Sequence, residues 1–140
     1  MLALCVLLAC TANAAYWTYA RRTTGAARGS AADAIPAKLE ALSAGDAASG
    51  EQIFTVVQPC HTCHIDVPVG PPFPGEPPLA TLAATRRPGY SAESYLYESI
   101  MNPSAYVVPG FQGDIMPENF GGILTQQDLA DLVAYLMTMQ

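Results

Sequence analysis

Cys60-His61-Thr62-Cys63-His64 constrains this chain more than any other stretch of it. Two thiols separated by two residues, with an imidazole directly after the second, bring three reactive groups to one short turn. In that order they suit covalent haem attachment: each thiol adds to one vinyl group of the same porphyrin, and the histidine reaches the iron. A redox dithiol would want a βαβ setting, which the chain does not offer. A zinc site would want a second ligand pair, and His61 is the only other histidine. The motif therefore points to one covalent haem c and its iron, with Cys60 and Cys63 as attachment points and His64 as a metal ligand. The remaining cysteines, Cys5 and Cys10, sit in an apolar run and suggest no disulfide framework.

A low-spin haem that carries electrons needs a second axial ligand. No histidine is left outside the motif, so methionine is the natural candidate, and a thioether also raises the reduction potential relative to a second imidazole. Met1 lies in the apolar N-terminal run, while Met101, Met137 and Met139 fall on expected helices, where methionine is more often core filling. Met116 stands in the loop from Gly110 to Pro117, whose backbone is free to carry a side chain over the haem. Met116 is the expected ligand, with Met101 the main competitor.

From Leu2 to Ala20 there is no formal charge. As a helix this stretch spans roughly 28 Å, about the thickness of a bilayer's hydrocarbon core. Tyr16, Trp17 and Tyr19 then precede Arg21 and Arg22, as at a membrane interface. Residues 1–20 are thus expected to form a single transmembrane anchor. A cleaved secretory signal and a lipoprotein signal ending at Cys10 are the alternatives. Residues 21–45, rich in alanine, glycine, serine and threonine, are expected to be a linker with a short helix from Ala37 to Leu42.

The expected domain covers residues 46–140. Asp46 suits a helix N-cap, and the helix it opens runs to about Gln58 with Ile53, Phe54, Val56 and Val57 toward the core. A proline-rich loop follows the cysteine motif. Ser91 opens a second helix, which Asn102-Pro103 stops. Thr125 to Asp128 resembles a capping box ahead of a last helix with Leu129, Leu132, Val133, Tyr135 and Leu136 on one broad face. No strand pattern survives the prolines, so the fold class is all-α.

Charge narrows the partners. From Asp46 onward there are ten carboxylates, two arginines and no lysine. Such a surface repels a phosphate backbone, so no nucleic acid is expected. No carboxylate pair argues for acid–base catalysis, and neither an enzyme activity nor a small-molecule substrate is expected. Arg86 and Arg87 suit haem propionates, although a solvated pair is an equal alternative. One of Tyr90, Tyr95, Tyr97 and Tyr106 is a further candidate propionate donor, with plain core packing as the alternative.

Residues 46–140 resemble a class I, mitochondrial-type cytochrome c. Gly50 and Phe54 resemble the glycine and aromatic of the family's first helix, and Leu132 with Tyr135 the pair on its last helix. Gly70-Pro71 resembles the Gly-Pro after the haem motif, whose carbonyl accepts a hydrogen bond from the proximal histidine, and Met116-Pro117 resembles the distal ligand loop. The resemblance implies a class I cytochrome c fold around one haem, preceded here by the transmembrane helix, with Gly70 and Pro71 among the cofactor-binding residues; Arg86 and Arg87 join them on the propionate argument alone. Tyr95 to Gly110 looks most like the cytochrome domains of respiratory complexes, including those fused to oxidase subunit II, and a monohaem subunit of alternative complex III also fits. The implied function is electron transfer beside other subunits of a membrane complex and a redox partner protein, on the periplasmic face of a bacterial cell membrane. A haem-based sensor and a freely acting tethered carrier are the alternatives.

Overall fold

In the computed structural model, which describes residues 38–39, 44–67, 69–73 and 75–140, Asp46 opens the first helix of the domain. Its carboxylate accepts from the Ser49 amide at 2.7 Å, satisfying one of the amides that a helix start leaves unpaired. Helix α1 (Ala47–Gln52) does not continue regularly to Gln58. It widens into a π turn over Ile53–Val57, closed by the Gln58 amide on the Ile53 carbonyl at 2.8 Å. The extra residue in that turn rotates the side chains beyond it. Ile53 and Phe54 are buried, but Val56 and Val57 face outward, Val56 at 76% exposure, so only half of the expected core face is used.

The last helix, α4 (Gln126–Leu136), begins with the full capping box, Thr125 and Asp128 each accepting from the other's backbone amide. Leu129, Leu132, Val133 and Leu136 are buried on its inner face, with Tyr135 half-buried beside them. Helices α1 and α4 pack closely because Gly50 has no side chain: a Cβ there would run into the backbone carbonyl of Asp131. Asp131 also reaches back with its carboxylate, accepting from the Asp46 amide at 2.8 Å, so one helix caps the start of the other. Phe54, 1% exposed, packs on Tyr135 with ring centroids 5.6 Å apart. Burying a side chain of that size contributes about 2–3 kcal/mol.

Two more helices complete the framework. Helix α3 (Ala92–Met101) starts at Ser91, whose hydroxyl accepts from the Ser94 amide, and stops at Asn102 ahead of Pro103. Helix α2 (Leu79–Arg86) falls in a stretch where the residue pattern marks no helix, and it packs against α3 through Leu79 and Ala83. From Pro103 to Leu124 the chain is loop, broken by 3₁₀ turns at Pro103–Ala105 and Phe120–Gly122.

Among the described residues there is no strand, in keeping with the all-α class. No helix among them is long and apolar enough to cross a membrane; the anchor expected over residues 1–20 lies outside them, as does most of the expected linker. Of the helix expected from Ala37 to Leu42, Lys38 and Leu39 are helical and the rest falls outside the described residues.

Candidate functional site

Pro59 interrupts the chain after the first π turn, and a second one, Thr62–Asp66, closes with the Val67 amide on the Thr62 carbonyl at 2.9 Å. Cys60 and His61 precede this turn on helical backbone, and Cys63 and His64 lie within it. The next segment folds back along it: the Gly70 amide donates to the Cys63 carbonyl at 3.2 Å and the Phe73 amide to the His64 carbonyl at 2.9 Å.

That return places the carbonyl of Pro71 2.8 Å from Nδ1 of His64. A carbonyl only accepts, so Nδ1 carries the proton and the lone pair of Nε2 is left for a metal. Burial lowers the pKa of His64 below its ordinary value, partly opposed by the Pro71 bond, and this keeps the ring neutral. Gly70 is required by proximity, since a Cβ there would stand 2.9 Å from Cε1 of His64. Phe73 lies flat against the same imidazole, with centroids 4.5 Å apart.

Cys60 is half-buried and Cys63 exposed. Burial pushes the Cys60 thiol up to about 11, which favours the neutral thiol over the thiolate that a reactive dithiol requires. Among the described residues no group of three or more His, Cys, Asp or Glu side chains converges on a point that would hold a metal ion. His61 lies half-buried beside the motif, its Nε2 3.5 Å from Asp66 and its Nδ1 buried without a hydrogen-bond partner.

The cysteines and His64 open into a cavity of about 590 Å³. Gly70, Pro71, Arg86 and Met116 line it as well, while Leu79, Leu82, Tyr95, Leu96, Tyr106 and Phe120 supply much of its apolar wall. Of the tyrosine candidates, Tyr95 and Tyr106 line the cavity and Tyr90 donates to Glu98 instead. The arginine pair divides in the same way. Arg86 lines the cavity, whereas Arg87 is engaged with Glu98 and with the rings of Tyr90 and Tyr106. Met116 is the one methionine among the described residues that borders the cavity. Met101 sits against Gly121, Met139 is core, and Met137 packs at the core's edge.

The donor set suits haem c: two thiols on one turn, a neutral imidazole with Nε2 free, a thioether, a guanidinium, and an apolar space of the size usual for cofactors. Residues 47–140 match the family model described as cytochrome c. The chain belongs to the cytochrome c family. Its cofactor is a covalent haem c with its iron, and the family is one of electron carriers. No curated protein and no solved structure matches the chain.

Two cavity-side features escape the sequence. Phe73 stands among prolines, where nothing marks an aromatic as a histidine's neighbour. Glu98 leaves a faint signal, the one charged side chain among the buried residues of α3, three residues after Tyr95.

Proposed function

We propose that this cytochrome c is a membrane-tethered single-haem carrier that ligates its iron through His64 and Met116 and serves as a resident subunit of a respiratory or photosynthetic electron-transport complex. The observation that carries the ligand assignment is the position of Met116, which alone among the described methionines borders the cavity that His64 also lines.

Bound haem c supplies one-electron exchange between ferric and ferrous iron. Everything else is the work of the chain's own groups. Cys60 and Cys63 hold the group to the chain, the Pro71 carbonyl orients His64, and the apolar walls keep water out. The soft sulfur of Met116 favours the ferrous state more than a second imidazole would. Arg86, which lines the cavity, would pair with a propionate.

The tether belongs to the same proposal. An acidic domain without lysine has no positive ring for steering it to an acidic partner, and anchoring through residues 1–20 on the periplasmic face keeps the local concentration high instead. Gentle extraction from membranes and identification of co-purifying subunits tests membership of a complex; recovery of the cytochrome alone argues for a freely acting tethered carrier.

The ligand assignment is tested by the absorption spectrum of the oxidised holoprotein. The weak far-red band that reports sulfur bound to ferric iron is expected in the native protein and in Met101→Ala, and is lost in Met116→Ala. A high-spin spectrum in the native protein would overturn the assignment in favour of a sensor or ligand-binding cytochrome.

A further inference from the structure

Glu98 stands where a carboxylate is costly. It is 8% exposed on α3, beside Ser99 and three residues after Tyr95, both of which line the haem cavity. A buried carboxylate persists only when it is paired and hydrogen-bonded. Glu98 has both: the Arg87 guanidinium donates to Oε2 and the Tyr90 hydroxyl to Oε1, the latter at 3.1 Å.

The pairing also fixes where Arg87 lies. Its guanidinium sits over the Tyr90 ring at 4.3 Å and reaches the Tyr106 ring at 5.8 Å, within range of cation–π attraction. Tyr106 lines the cavity and meets Tyr95 edge-on, with centroids 6.0 Å apart. A positive and a negative charge are thus stacked directly behind an aromatic wall of the cavity, and they cancel. Arg86, the preceding residue, lines the cavity and has no ion-pair partner among the described residues.

We propose that Glu98 is a charge-balancing and positioning residue that sets the haem's reduction potential: by cancelling Arg87 behind Tyr106, it leaves Arg86 as the uncompensated cation on that side of the cavity. A positive charge near the haem disfavours the ferric state, and its field is screened less through an aromatic wall than through water. Without Glu98 the side would present two cations and the potential would rise. The proposal rests on the family's haem c and holds whichever residue takes the sixth position.

Potentiometric titration of the holoprotein tests it, with the charge-keeping variants and Glu98→Gln compared with native at neutral pH. Arginine stays protonated, so Glu98→Gln, which keeps the shape but loses the charge, is the deciding arm and is expected to shift the midpoint upward. Glu98→Asp and Arg87→Lys keep their charges and should titrate close to native even where they lower the melting temperature. Arg87→Gln leaves the buried Glu98 unpaired and favours its neutral form, so this variant is titrated from neutral to alkaline pH: its midpoint should fall below that of the double variant Arg87→Gln/Glu98→Gln as Glu98 ionises, while the double variant stays near native. An unshifted Glu98→Gln, or single variants that shift in the same direction, would overturn the proposal and leave Glu98 a purely structural residue. Should Glu98→Gln not accumulate as holoprotein, Arg87→Gln compared with the double variant over that pH range reads the same charge: a midpoint that falls below the double variant's as pH rises supports the proposal, and equal midpoints throughout overturn it. The far-red sulfur band, recorded on every variant, separates these outcomes from a change of ligand.

Discussion

The rings of His64 and Phe73 are parallel to within 5° and 4.5 Å apart. Phe73 in turn lies 6.4 Å from Phe54, and Phe54 5.6 Å from Tyr135, so a line of aromatic contacts runs from the haem-side imidazole to the crossing of α1 and α4. His64 is therefore held on one side by the Pro71 carbonyl and on another by the packed core. Phe73→Ala should cost about 2 kcal/mol, less than a fully buried phenylalanine because Phe73 is half-buried. Denaturant unfolding checks this, with a lower midpoint and an unchanged slope expected.

Gly50→Ala tests the helix crossing. On a free helix the exchange would stabilise by about 1 kcal/mol through propensity alone. Here the added methyl meets the backbone carbonyl of Asp131, and backbone in mid-helix cannot swing aside as a side-chain tip does. The helices must separate, which also stretches the Asp46 amide to Asp131 bond. A net loss of about 3 kcal/mol is expected. A variant as stable as the parent in thermal melting would show that the crossing is not tightly packed.

How far the molecule can be read from its residues differs by element. The cysteine motif and the caps at Asp46, Ser91 and Thr125 are local signals, and each sits where such a signal acts. The resemblance extends this to the small Gly50 at the helix crossing and to the His64 to Pro71 bond, which no spacing rule supplies. Helix α2 is not legible because Leu79 to Arg86 is short, lacks a capping side chain at Pro78, and has no clear apolar stripe. The π turn at Ile53–Val57 defeats a 3.6-residue periodicity, which is why Val56 and Val57 face solvent where that periodicity points them inward. The split fates of Arg86 and Arg87 follow from α2 ending between them, Arg86 being its last residue and Arg87 extended backbone that turns toward Glu98, and adjacent residues give no hint of that.

Thr125→Ala removes one half of the capping box and should cost about 1 kcal/mol. It should also change the response to acid. Hydrogen bonds from the Thr125 side chain, and then from its backbone, hold the Asp128 carboxyl below its ordinary value of 3.8. A carboxyl depressed in the folded state contributes stability above its unfolded-state pKa, and that contribution is lost as pH falls through the folded value. Melting temperatures recorded from neutral pH downward should therefore fall less steeply below about pH 4 in Thr125→Ala than in the parent. Equal slopes would show that the box adds no pH-dependent stability.

Asp114 occupies left-handed backbone, φ 59°, two residues before Met116, and its carboxylate accepts from the Ser104 hydroxyl at 3.2 Å. The bond ties the Met116 loop to the 3₁₀ turn after α3. Asp and Asn tolerate this conformation, whereas a β-branched residue does not, at a cost of about 1–3 kcal/mol. Asp114→Asn keeps both the conformation and an acceptor and should behave as the parent. Asp114→Val loses both and should loosen the loop rather than unfold the domain, because the loop lies outside the α1–α4 core. With Met116 as the sixth ligand, a looser loop yields that position more readily to a competitor. Added imidazole should therefore bind ferric Asp114→Val roughly tenfold tighter than the parent, at about 1.4 kcal/mol per decade, as followed by loss of the far-red sulfur band. Equal imidazole affinity in the two proteins would mean that the Ser104 to Asp114 tie does not govern access to the iron.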